Sequence, residues 1–168
     1  MVRERVDNMK TITVNGTDYT LEYSFMAAEH KGTVQKMFNV LSGSYLVKRA
    51  NVAKESSSEE AMAEAMIDGT SEMVADIPHI VKTAFYSGLL ENHSVSEEEA
   101  YGIMKQYMKE NKISFRKLFD DIKTCMEDDG FFDLSGLTEM MEEMNKSIEE
   151  NVKKIPQDHK RKKSTGTR

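Results

Sequence analysis

Residues 11–20, TITVNGTDYT, hold two alternating apolar and polar runs joined by Asn15-Gly16, and no other stretch limits the fold as much. An Asn-Gly pair accepts the positive backbone dihedrals of a tight primed turn, so the two runs are expected to fold back as an antiparallel hairpin. Ile12, Val14, Tyr19, Leu21 and Tyr23 fall on one face, and Thr11, Thr13, Asp18, Thr20 and Glu22 on the other. A two-residue loop opposes Ile12 to Tyr19 and a four-residue loop opposes it to Leu21; either register keeps the apolar set together. A lone two-stranded hairpin is marginal in water. Its apolar face must therefore be covered by the chain's own helices, by a neighbouring copy, or by both, which makes Ile12, Val14, Tyr19, Leu21 and Tyr23 candidates for self-association.

From Phe25 onward the period changes to that of helices. The first helical stretch has a weak point at Gly32 and stops at Ser42-Gly43, where glycine suits a left-handed C-terminal position. Residues 48–60, KRANVAKESSSEE, read as a mobile polar loop that ends in the capping pattern Ser57-x-x-Glu60. Ala61, Met62, Ala65 and Met66 predict a short helix before Gly69. Asp76 then starts a central one, with Pro78 in its first turn and Ile77, Ile80, Val81, Ala84, Phe85 and Leu89 as its core stripe. Ser96-x-x-Glu99 opens a helix carrying Ala100, Met104, Tyr107 and Met108. Ser114 opens the next, in which Phe115, Leu118, Phe119, Ile122 and Met126 recur until Gly130.

The last helix is expected from Asp133 to Lys154. Leu134, Leu137, Met141, Met144, Ile148, Val152 and Ile155 form a narrow apolar seam with glutamates elsewhere, close to a coiled-coil pattern. The fold class is thus α+β, mainly α: an N-terminal hairpin followed by about five to six helices, the last long and amphipathic. It is expected as a single domain over residues 10–155, flanked by a flexible N-terminus (1–9) and a disordered basic tail (156–168).

The charge distribution narrows the partners. The chain has 168 residues and a net charge of -6, but residues 153–168 alone carry +6 and the rest -12. An acidic body does not favour phosphate backbones, and no apolar run approaches the ~18 residues of a membrane span. Neither nucleic acid nor membrane is an expected partner. The N-terminus lacks the apolar stretch of a signal peptide, so the chain is expected in its host's cytoplasm. The single cysteine, Cys125, cannot make an internal disulfide.

Catalytic chemistry finds no foothold. His30, His79, His93 and His159 are scattered, without the helical spacing of a metal pair. There is no phosphate-binding glycine loop and no nucleophile elbow. Acids surround Gly130 in CMEDDGFFDLSG, residues 125–136, yet no frame places carboxylates at the ligand positions of a calcium loop. The acidic clusters at 97–99 and 139–143 read as solvated helix faces, favourable near helix starts. No catalytic residue, metal or cofactor is therefore expected. The thirteen methionines say more, because Met adapts to irregular surfaces. Met37, Met66 and Met104 read as core filling. Leu137, Met140, Met141, Met144 and Ile148 on the terminal helix are the candidate partner-binding set.

With these features laid out, residues 9–128 resemble the tail assembly chaperones of long-tailed (siphovirus-type) bacteriophages and prophages. The resemblance lies in the strand, turn and strand of KTITVNGTDYTLEYSFMAAE and in the helix, capped loop and helix of FYSGLLENHSVSEEEAYGIMKQYMKENK. It implies a protein of the host bacterial cytoplasm that binds and solubilises the tape-measure protein, helps recruit major tail tube protein, self-associates and is absent from the mature virion. The family also often makes a frameshifted longer form; the lysine-rich run from Lys160 to Lys163 is compatible with slippery codons. The rival expectation is a cellular helical adaptor whose C-terminal amphipathic helix engages one defined partner.

Overall fold

A computed structural model of the chain describes residues 10–45 and 58–153, the last three as backbone. The flexible N-terminus, most of the 48–60 loop, the seam position Ile155 and the basic tail lie outside the described residues, and of the seam position Val152 only the backbone is described. The fold is α+β and mainly helical. The hairpin of β1 (Lys10–Val14) and β2 (Thr17–Leu21) is followed, among the described residues, by seven helices: α1 (Phe25–Glu29), α2 (Lys31–Leu41), α3 (Glu59–Leu89), α4 (Glu97–Asn111), α5 (Phe115–Asp128), α6 (Phe131–Leu134) and α7 (Leu137–Lys153).

The turn is the tight one. Asn15 and Gly16 take φ of 49° and 76°, and Ile12 opposes Tyr19, the two-residue register. Ile12, Val14, Leu21 and Tyr23 then point into the core formed with α3, α4 and α5. The hairpin is also tied down along its backbone. Thr20 N–H donates to His93 Nε2 at 2.8 Å, Glu22 N–H to the Gly88 carbonyl at 2.8 Å, and Tyr23 N–H to the Asp129 carboxylate at 2.8 Å. Thr20 and Glu22 alternate with the residues that hydrogen-bond to β1, so these two N–H groups on the outer side of the strand are taken by the chain itself.

Three helix boundaries differ from the sequence reading, each for a local reason. The first helical stretch breaks at His30 rather than Gly32, because His30 turns extended (ψ 96°) and its ring nitrogen accepts the Thr33 N–H that opens α2. The expected short helix and central helix are one, α3, capped by Ser58 instead of Ser57. Gly69 does not stop it, and this residue is buried. Pro78 lies in the interior of α3, not its first turn. The carbonyl it deprives of a donor is that of Val74, a residue on the helix's exposed side. Conversely, the expected last helix is two, since Gly136 at φ 76° separates α6 from α7.

The start of α4 follows the sequence reading. Ser96 accepts the Glu99 N–H while the Glu99 carboxylate accepts the Ser96 N–H at 2.7 Å, a complete capping box. Those bonds hold the Glu99 carboxyl below its ordinary range. Ser96→Ala is expected to lower stability by about 1 kcal/mol, read as a fall in the urea midpoint at constant slope.

Candidate functional site

The candidate partner-binding set begins at the Gly136 turn, and the structure divides it. Leu137 is 3% exposed and belongs to the core, so it is corrected from the binding set to a structural anchor. Its burial follows from the α6–α7 turn, which folds the first turn of α7 back onto the body. Met141 and Met144 are half-buried, and Met141 lines a groove with Leu41 of α2 and Phe132 of α6, with Glu127 and Glu142 in the same wall. Met140 and Ile148 are open to solvent at 50% and 56% exposure. Residues 145–150 are all exposed, so α7 makes its packing contacts over its first two turns and presents Ile148 beyond them.

The candidate self-association set is corrected more fully. Ile12, Val14, Leu21 and Tyr23 are buried between 0% and 4% exposed. They are not available to a neighbouring copy in this fold, because the chain's own helices cover the hairpin's apolar face. Tyr19 is half-buried, with its ring 5.4 Å from that of His93. The question of which partner covers the hairpin is answered within one chain.

Among the methionines read as core filling, Met37 and Met104 are buried at 1% and 0%, but Met66 is 55% exposed. It sits on a second apolar surface that sequence reasoning missed. Ala63, Ile67, Thr70, Val74, Ile77, Val81, Ala84 and Gly88 recur along α3 at alternating spacings of four and three, a single unbroken seam. From Ile77 onward the seam is buried; before it, Ile67 and Val74 are 69% and 53% exposed. The spacing was present in the sequence. Reading α3 as two helices hid it.

The acidic corner at 125–136 is structural. Asp129 closes α5, and its carboxylate takes the Tyr23 N–H. Burial pushes the Asp129 carboxyl above its ordinary value; the Tyr23 bond pulls it down, while Glu22 and Asp128 add repulsion. A raised native value means that the protonated form is favoured in the fold. That contribution is full below the unfolded value and is lost as pH rises through the native one. At neutral pH the charge is therefore a net cost, whereas the acceptor is needed. Asp129→Asn is expected to match or exceed the wild type in thermal stability at pH 7 and to lose that advantage in acid. Asp129→Ala, which orphans the Tyr23 N–H, is expected to fall about 1–2 kcal/mol below Asp129→Asn.

Cys125 is free and buried, and burial raises its thiol above the ordinary value. Among the described residues no group of three or more His, Cys, Asp or Glu is placed to hold a metal ion, and no helix is long and apolar enough to cross a membrane. A cleft of Lys36, His79, Lys82, Thr83, Tyr86 and Glu97 lies between α2, α3 and the start of α4. The Thr83 hydroxyl there donates to the His79 carbonyl within α3 at 3.0 Å, the hydrogen bond of a helical threonine. What the described residues offer is apolar surface on acidic helices. The chain matches no family model, no curated protein and no solved structure at significant similarity.

Proposed function

We propose that this protein is an assembly chaperone of the phage-tail type, holding a long helical client, the tape-measure protein, in soluble form and helping bring major tail tube subunits to it in the bacterial cytoplasm. The observation that carries the reading is the exposure of Met140 and Ile148 on α7, next to the groove that Met141 lines with Leu41 and Phe132. Unbranched Met side chains adapt to varied client surfaces. Glutamates along the same helix keep that surface solvated and the chain acidic. Support also comes from the order of elements, a hairpin seated on helices with a capped α3–α4 corner, which follows the segments that carry the family resemblance.

The mechanism needs many weak contacts rather than one tight pocket. Copies that bind one client and also one another raise each other's effective concentration, so modest sites add up to firm retention. No cofactor enters this scheme. Self-association then uses surfaces other than the hairpin face.

Co-expression with a fragment of a tape-measure protein that aggregates alone tests the reading. The wild type is expected to bring the fragment into the soluble fraction, and Met140→Ser with Ile148→Ser to lose most of that rescue while keeping an unchanged circular dichroism spectrum. A fragment that stays insoluble beside the wild-type protein contradicts the proposal.

A further inference from the structure

The hairpin has two outer edges, and among the described residues the chain closes one of them. A two-residue turn makes Val14 and Thr17, Ile12 and Tyr19, and Lys10 and Leu21 the pairs that exchange hydrogen bonds. Thr11 and Thr13 lie between them on β1 with their N–H and C=O groups turned outward, as Thr20 does on β2. On the β2 side, His93 takes the N–H of Thr20 and the Gly88 carbonyl that of Glu22. On the β1 side no described residue bonds to the backbone of Thr11 or Thr13, and both residues are exposed.

β1 carries none of the features that keep an open edge from pairing. It has no proline and no bulge in its register, and threonines rather than charges stand at both outward positions. Its one charged side chain, Lys10, is drawn to Asp121 of α5 at 3.4 Å. An open, uncharged edge fits an extended strand, and the two ends of β1 say which. Lys10 stands at one end; at the other, the Glu110 carboxylate accepts the Asn15 N–H at 3.3 Å. Antiparallel pairing with a second copy brings the Lys10 end of each β1 to the Glu110 end of the other, whereas parallel pairing sets like charge beside like. Asp121 keeps Lys117 at 2.6 Å whichever carboxylate Lys10 then faces. An axis through Ile12 opposes Thr11 of each copy to Thr13 of the other. That register uses every outward group: each of the two pairs exchanges both of its bonds, and threonine faces threonine across the strands.

We infer that β1 pairs antiparallel, edge to edge, with β1 of a second copy, joining two hairpins into one continuous sheet across a two-fold axis. The apolar face stays on each chain's own helices, so Ile12, Val14, Leu21 and Tyr23 remain buried as they are. The edge supplies the self-association of the proposed function without resting on it, since no client takes part.

Sedimentation equilibrium of the full chain without client, with residue-specific amide exchange by NMR, tests it. The wild type is expected to form a reversible dimer. Its Thr11 and Thr13 amides are expected to exchange about tenfold more slowly where the dimer prevails than where the monomer does. Thr13→Pro removes one donor from each pair and no bond of the hairpin's own ladder; it is expected to weaken the dimer about tenfold or more with an unchanged circular dichroism spectrum. Thr13→Val gives up the hydroxyl bond to Asp18 but keeps the N–H, and is expected to dimerise as the wild type does. Thr11→Pro is a second variant expected to weaken the dimer. A monomer at every concentration, or a dimer that both proline variants leave intact, overturns the inference. So does slow exchange at Thr11 and Thr13 in the monomer, which would make the chain's own residues 1–9 the occupant of the edge. Fast exchange of both amides in the dimer overturns it too, by placing the interface elsewhere.

Discussion

Gly88→Ala is expected to cost about 2–3 kcal/mol of folding stability, although alanine is the better helix former by about 1 kcal/mol at an unconstrained helical site. A Cβ at residue 88 would stand 2.6 Å from Tyr23 Cζ, 2.7 Å from its hydroxyl oxygen and 2.9 Å from Cε1. Neither partner can step aside. Tyr23 is fully buried, edge-on to Phe131 with ring centroids 6.4 Å apart, and its N–H is held by Asp129. The adjacent Glu22 N–H is bonded to the carbonyl of Gly88 itself, so the strand cannot retreat from the helix without breaking that bond. If this is the cause, the penalty depends on the ring. In a Tyr23→Leu background the Gly88→Ala cost should shrink, giving a coupling of about 1–2 kcal/mol in a double-mutant cycle by urea denaturation. Gly88→Ala at or above wild-type stability would show that the hairpin does not sit on α3 as described.

Leu21→Ala is expected to cost about 3 kcal/mol, in the range for a large aliphatic side chain removed from a core. Leu21 is 1% exposed within a single chain. The informative part is its concentration dependence. If the hairpin's apolar face belonged to an interface between copies, the loss would vary with protein concentration by mass action. Burial within the chain predicts the same shift in melting temperature across a hundredfold dilution, about two decades of the mass-action scale.

Much of this was legible in the sequence because local chemistry dictates it. Asn15-Gly16 accepts the dihedrals of a tight turn, Ser96 with Glu99 caps α4, and the apolar periods of α4 and α5 point to Ala100, Met104, Leu118, Phe119, Ile122 and Met126, which are buried, and to Tyr107, Met108 and Phe115, which are half-buried. What was not legible depends on tertiary context. Gly69 and Pro78 are local breakers, yet α3 runs through both of them as one helix. Serving as an N-cap, His30 moves a break by two residues, and nothing in its type announces that role. The two apolar surfaces were harder still. Periodicity shows that a helix has an apolar stripe but not whether the stripe is covered, so Leu137 and Ile148, one buried and one exposed, carry the same signal. For the hairpin the stripe was right and the occupant was the chain's own core.

Light scattering on the purified protein, alone over a range of concentrations and then with a co-expressed tape-measure fragment, tests the proposed function most directly. The chaperone reading predicts oligomers that grow with concentration and several copies on each soluble client. A strict monomer that leaves the client insoluble, or a discrete one-to-one complex of the kind an adaptor forms, would contradict it.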